Sequence, residues 1–164
     1  MSLYNRLIAD LNSAGARYRL IDHYPEGRTE PASALRGHDL AHAAKSLVVR
    51  VKITKKENRY ALAVIPGNAR LDLLAVKCLL GGTRAAFADR STAEKLAGSM
   101  SGTLLPFSYH PQLELIADPA LLAGPEIYFN AARLDRSIAM ATDDYLRIAS
   151  PRIEPVSAAA VAVQ

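Results

Sequence analysis

Cysteine occurs once, at Cys78, so no disulfide can form within the chain. That suits a reducing cytosol, and Cys78, set in an apolar helical stretch, is expected to serve packing. Long hydrophobic runs are also missing. Apolar clusters such as Leu47-Val48-Val49 soon meet a charge, here Arg50, far short of the roughly 20 apolar residues a membrane helix needs. The first ten residues mix Arg6 and Asp10 into an amphipathic pattern unlike that of a secretion signal. No Arg/Lys block forms a basic tail. The net charge of +4 and the pI near 9.3 come from scattered residues such as Arg17, Arg28, Arg36, Lys45 and Lys52. Such a balance admits a polyanionic partner without requiring one. The expectation is a soluble, cytoplasmic protein with no membrane contact.

Recognised chemical motifs are missing as well. There is no glycine-rich phosphate loop ending in Gly-Lys-Ser/Thr, no dinucleotide fingerprint and no Gly-x-Ser-x-Gly elbow. What is present is a chain of 164 residues, half of them apolar and 22% charged. That composition excludes disorder and fits one domain, long enough to bury about two-thirds of the surface its unfolded form exposes. The domain is expected over 1–156, with an Ala/Val-rich, frayed tail over 157–164.

Periodicity and punctuation supply the elements. Tyr4, Leu7, Ile8 and Leu11 mark one helix face, capped by Ser2 and ended by Gly15. An extended piece over 17–22 leads into a polar loop over 23–31. A brief helix over 32–36 closes at Gly37, and a helical turn over 39–44 feeds a strand over 47–53. Thr54 to Asn58 turn the chain into a second strand over 60–65, a hairpin stopped by Pro66-Gly67. A helix follows over 71–80. Ser91 and Glu94 form a capping-box pattern for another, ended by Gly98. Strands over 113–117, 126–130 and 137–141 precede a helix begun by Thr142-Asp143-Asp144. Strands and long helices do not alternate regularly. The fold class is therefore α+β, a mixed, mostly antiparallel sheet surrounded by short helices.

Four groups of residues could carry chemistry. His38 and His42 stand four apart, but no Glu follows His38 and spacing suggests no third ligand, so two surface histidines are the simpler reading. Ser108, His110 and Asp118 include triad residue types with nothing to fix their geometry. Lys45 stands between Ala43-Ala44 and Ser46-Leu47-Val48. There it could bind a phosphate or stabilise negative charge, or merely lay its stem over apolar surface. The loop from Gly98 to Pro106 carries two glycines. Its N–H groups could hold an oxyanion, or it could be an ordinary connection.

Four segments, in order, match a known family. Ala44-Lys45-Ser46-Leu47-Val48, Ile65-Pro66-Gly67 with Asp72, Gly102-Thr103-Leu104-Leu105-Pro106 and Phe129-Asn130-Ala131 resemble the signatures of the YbaK/prolyl-tRNA-synthetase editing-domain family. The resemblance runs from His23 to Pro151, and Leu134 to Pro151 looks especially like its YeaK-type subgroup. Many relatives continue Phe-Asn-Ala with Gly, where Ala132 stands here. The resemblance implies a freestanding deacylase that clears mischarged aminoacyl-tRNA, cleaving esters of small amino acids such as Ser, Thr or Ala. It implies Lys45 and Gly102 as the catalytic pair, with Ser101, Thr103, Pro106 and Asn130 around the substrate and His23 and Glu30 at the rim. It also implies no metal, no cofactor, a substrate hydroxyl or water as nucleophile, and transient association with an aminoacyl-tRNA synthetase. A non-catalytic tRNA- or nucleotide-binding module of the same fold is the alternative.

Overall fold

The computed structural model describes residues 1–159. The first helix, α1 (Leu3–Ser13), starts where Ser2 accepts the Asn5 N–H, and it buries Leu7 and Leu11. Strand β1 (Tyr18–Asp22) and helix α2 (Thr29–Arg36) follow. Helix α2 begins three residues before its expected start because Pro31 falls within its first turn, where no intrahelical N–H is needed. A 3₁₀ turn (Leu40–His42) leads into β2 (Ala44–Lys52), and Thr54 to Glu57 close the hairpin to β3 (Asn58–Pro66).

Next come β4 (Ala69–Leu71), α3 (Leu73–Leu80) capped by Asp72, and β5 (Arg84–Phe87). Helix α4 (Arg90–Ala97) is capped by Asp89, which accepts the Thr92 N–H at 2.8 Å. Ser91 is not the cap. Glu94 instead turns its carboxylate to the Ser101 N–H at 2.6 Å. Strands β6 (Leu113–Ala117), β7 (Glu126–Asn130) and β8 (Arg136–Ala141), helix α5 (Thr142–Ala149), β9 (Arg152–Ile153) and β10 (Ser157–Ala159) complete the order.

The strands form three sheets: β5-β2-β3-β6-β9, β1-β8-β7, and the pair β10-β4. Five of the pairings are antiparallel and two, β3-β6 and β6-β9, are parallel. The α+β, mostly antiparallel expectation holds. In the large sheet the central strand β3 buries every residue from Ala61 to Ile65, so both its faces are covered. One face (Val48, Leu62, Val64) packs on the small sheet, α1 and α5 through Leu11, Phe129, Ile138 and Tyr145. The other (Val49, Ala61, Ala63, Ile65) packs on α3 and Val156.

Two expectations are corrected. Cys78 is exposed, turned away from the face of α3 that buries Val76 and Leu80. The start of the tail is not frayed: Val156 is buried, its N–H donates to Asp118 Oδ2 and its C=O accepts the Asp72 N–H, both at 2.8 Å. That anchor delivers Ser157–Ala159 antiparallel to β4. The remaining tail, residues 160–164, lies outside the described residues.

Candidate active site

The site exists because β2 outlasts its neighbour. Strand β5 pairs with β2 only from Val49 to Lys52, and the Ala88 N–H adds one bond to the Val48 carbonyl. No strand of the large sheet continues beside Ala44–Leu47 on that side. A pocket of about 530 Å³ opens along this free edge. Side chains alternate across a strand, so the edge divides the pocket. Ala44, Ser46 and Val48 face an inner chamber completed by Ala88, Ala93, Leu104 and Phe129, whereas Lys45 and Leu47 face an outer shelf.

Lys45 is half-buried, and its Nζ donates to the Ala69 carbonyl at 2.7 Å. Among the described residues no carboxylate pairs with it. Burial alone pushes its ammonium below the usual lysine range. A cation held by one neutral carbonyl and lacking a counter-ion is set to receive an anion or a polarised oxygen.

Gly102 lines the same pocket. Its φ of +87° is left-handed, and a Cβ there would stand 2.8 Å from the Gly27 Cα and 3.1 Å from the Gly27 oxygen. Two backbones touch at this point, which only paired glycines allow. Of the neighbouring donors, the Ser101 N–H goes to Glu94 and the Thr103 N–H to the Met100 carbonyl at 3.0 Å. The Gly102 N–H has no partner among the described residues, so it is a donor this loop can offer an oxyanion.

Asn130 fastens the two loops. Its Nδ2 donates to the Glu26 and Gly102 carbonyls, each at 2.8 Å. Its Oδ1 is held in turn by the Ser137 hydroxyl at 2.9 Å and by Arg36 Nη1 at 3.4 Å. The Arg36 guanidinium also reaches the Ser33 and Ser137 hydroxyls and His38 Nε2, all neutral acceptors. Burial pulls its pKa down to about 10, so it remains a cation at neutral pH and lines the pocket without an acidic partner. His38 stacks on Tyr128 with centroids 3.8 Å apart. Its Nδ1 lies 2.8 Å from the Asp39 carbonyl and so carries the proton, which leaves Nε2 to accept from Arg36. Both ring nitrogens are thereby engaged by the protein. Burial above all, and with it the nearby Arg36 charge, pushes this imidazole below its ordinary range.

Of the eight residues expected at the site, Lys45, Gly102, Ser101 and Asn130 line the pocket. His23 stands behind the wall, its Nε2 2.6 Å from the Ser137 Oγ, and so supports Asn130 at one remove. Glu30 lies in the first turn of α2, exposed and away from the pocket. Thr103 is buried and donates its hydroxyl to the Met100 carbonyl at 2.7 Å, shaping the loop. Pro106 is buried below the pocket. Ser108, His110 and Asp118 do not assemble: Ser108 bonds the His110 and Leu113 carbonyls, and Asp118 holds Ala120 and Val156.

Three residues of the site were not anticipated. Arg36 looked like one scattered charge among many. Ser46 lines the pocket with a buried Oγ that has no hydrogen-bond partner, although it lay within the matched segment beside Lys45. Phe87 belongs to β5, a strand too short to show in the hydrophobic pattern.

The arrangement has a lysine without an acidic partner, a free backbone N–H and, among the described residues, no cysteine or histidine on the wall. It is built to hold and polarise an acyl group. It contains no serine–histidine or cysteine–histidine pair to form a covalent intermediate.

Known proteins share the fold and much of the sequence. Two solved structures share the fold: a hypothetical protein (TM-score 0.83, 22% identity, covering 93% of this chain and 99% of that one) and a candidate trans-editing enzyme for prolyl tRNA synthetase (TM-score 0.78, 20% identity, covering 96% and 98%). The multifunctional Ser/Thr-tRNA deacylase ProXp-y of Escherichia coli, in strains K12 and O157:H7, is 40% identical over 151 residues, which is 92% of this chain and 90% of the relative. Residues 25–148, which carry Lys45, Gly102 and Asn130, match the aminoacyl-tRNA editing domain, and the chain belongs to that family.

Proposed function

We propose that this protein is a freestanding, cytosolic deacylase that hydrolyses the ester joining serine, threonine or another small amino acid to the terminal adenosine of mischarged tRNA. The observation that carries the reading is that Lys45, whose ammonium has no counter-ion among the described residues, and Gly102, whose N–H has no partner among them, line one pocket. The activity named for the 40% identical relative points to the same substrate class.

In this mechanism Lys45 holds the terminal phosphate or ribose, which fixes the ester in the pocket. A water, held by the neighbouring ribose hydroxyl, attacks the carbonyl carbon and gives up its proton towards the ribose oxygen, the carbonyl oxygen takes up negative charge, and Gly102 N–H stabilises it. The C–O bond to the ribose then breaks, the ribose oxygen takes a proton, and the amino acid leaves. Selectivity follows from the chamber. Ala44, Ala88 and Ala93 leave room for a small side chain and exclude a large one. Ser46 Oγ, lacking a protein partner, is completed by the hydroxyl of a seryl or threonyl group. Transient contact with an aminoacyl-tRNA synthetase would hand over the charged end.

The test is release of amino acid from a panel of tRNAs carrying Ser, Thr, Ala, Cys and Pro. Fastest turnover is expected with Ser and Thr. Binding of tRNA with no release from any of the five would favour the non-catalytic module instead.

A further inference from the structure

The inner chamber accounts for the amino acid, and Lys45 for the phosphate or ribose, but the nucleobase between pocket and solvent has no place yet. The sheet register supplies one. Phe87 pairs with Val49 across the β5–β2 ladder, so it shares the face that carries Leu47 and Lys45. Phe87 is 54% exposed at the end of an edge strand, yet it lines the pocket. It is thus an exposed aromatic ring at the mouth of the site, on the same side of the sheet as Lys45, which has no counter-ion among the described residues. Arg90, with its side chain mostly in solvent, lines the same mouth.

Distance allows a nucleotide between the two. Lys45 and Val49 are four residues apart along β2, on the order of 14 Å at the rise of an antiparallel strand. Lys45 and Phe87 both line the pocket, so their positions leave a span wide enough for a nucleotide from phosphate to base. Exposed apolar residues scattered singly are ordinary on protein surfaces. The position of this one, lining the same pocket as Lys45 and Arg90, is what sets it apart. An unpaired base has an apolar π-face that stacks on an aromatic ring whatever its sequence, while its phosphate seeks positive charge.

Building on the deacylase reading above, we infer that Phe87 is the stacking platform for the terminal adenine of the tRNA, on the shelf that Lys45 shares. Phe87 then contributes to holding the tRNA end and leaves the reacting ester to Lys45 and Gly102. Stacking on aromatic side chains is worth enough that its removal should raise KM about tenfold.

The experiment compares Phe87→Ala, Phe87→Leu and Phe87→Tyr with wild type in steady-state deacylation of seryl-tRNA. Uncharged tRNA with 2-aminopurine in place of the terminal adenine is added in parallel, because stacking quenches its fluorescence. The expected result is an approximately tenfold rise in KM for Ala and Leu with kcat within about twofold, near-normal values for Tyr, and quenching seen only with Phe or Tyr. Unchanged KM in the Leu and Ala variants, or equal quenching in all four proteins, overturns the assignment while the deacylase reading stands. That outcome would leave Phe87 as a surface for a protein partner. Absence of turnover in the wild type overturns both.

Discussion

Substituting Gly102 by alanine separates the catalytic loop from an ordinary connection. At φ +87° any side chain costs about 1–2 kcal/mol of backbone strain. Gly15 supplies the control: its φ is +66° and nothing lies within 4 Å of a Cβ there. Gly15→Ala therefore bears the strain alone. Gly102→Ala adds a carbon 2.8 Å from the Gly27 Cα, whereas carbon atoms sit about 3.5–4.0 Å apart at their optimum. The two loops must separate by roughly an ångström, stretching the Asn130 amide that bonds both the Glu26 and Gly102 carbonyls. A misplacement of that size costs on the order of a hundredfold in rate, about 2.7 kcal/mol in barrier height. The expected outcome is a similar fall in Tm for the two variants, with an additional small loss for Gly102→Ala. Single-turnover deacylation should fall about a hundredfold only in Gly102→Ala, and tRNA binding should change little. Equal rates in the two variants would refute the reasoning.

Three further outcomes follow from single groups. Lys45→Ala should lose about a hundredfold in single-turnover deacylation with little change in thermal unfolding, and Lys45→Arg should rescue only part, since a planar fork does not replace a compact ammonium bonded to Ala69. Near-normal rates in both variants would remove Lys45 from the site. Asp144 accepts the Arg17 N–H and Nε at 2.8 and 2.9 Å, and those hydrogen bonds hold its carboxyl down to about 2 from the ordinary 3.8. The stabilisation is present above pH 4 and is lost as pH falls from about 4 towards 2, so the acid limb of Tm against pH should flatten in Asp144→Asn. Ala132 adopts φ +59°, where an alanine is strained. Ala132→Gly relieves about 1–2 kcal/mol against about 0.5–1 kcal/mol of glycine entropy, so Tm should rise slightly, and a fall would contradict the balance.

Local signals were legible and distant ones were not. Ser2, Gly37 and Gly98 punctuate helices through bonds within four residues, and each ends or begins an element where expected. The strand that carries Lys45 was visible as an apolar run, although pairing of Ala44 with Pro66 lengthens it by three residues at its start. Strands β4, β9 and β10 are two or three residues long and owe their order to partners far along the chain, so no local pattern marks them. Asp89 took the cap from Ser91 because the tertiary fold gives Glu94 a different partner, Ser101. At the site, Lys45 and the Gly102 loop stood out only once the family resemblance joined segments that are weak alone. Arg36 did not stand out, because its role depends on Asn130 and Ser137, about a hundred residues away.

The same separation bears on how a pocket with a mostly apolar lining can select its substrate. Its inner wall uses alanines at 44, 88 and 93, whose short side chains leave volume where larger residues would fill the core. Excluding a bulky amino acid needs no more than this shape, but a pocket that merely fits a methyl cannot strongly favour one carrying a hydroxyl. Discrimination of that kind requires a polar group whose hydrogen bonding stays incomplete until the right substrate arrives. The hydrogen bonds of Asn130 are fully committed to the loops and to Ser137, so it serves as the fastener. Ser46 Oγ is the wall group left unpaired. A buried hydroxyl without a partner costs about 1–3 kcal/mol, and a seryl or threonyl substrate returns that cost on binding while an alanyl one does not. In the mechanism proposed, shape sets which side chains enter, and the unsatisfied Ser46 sets which of them are held.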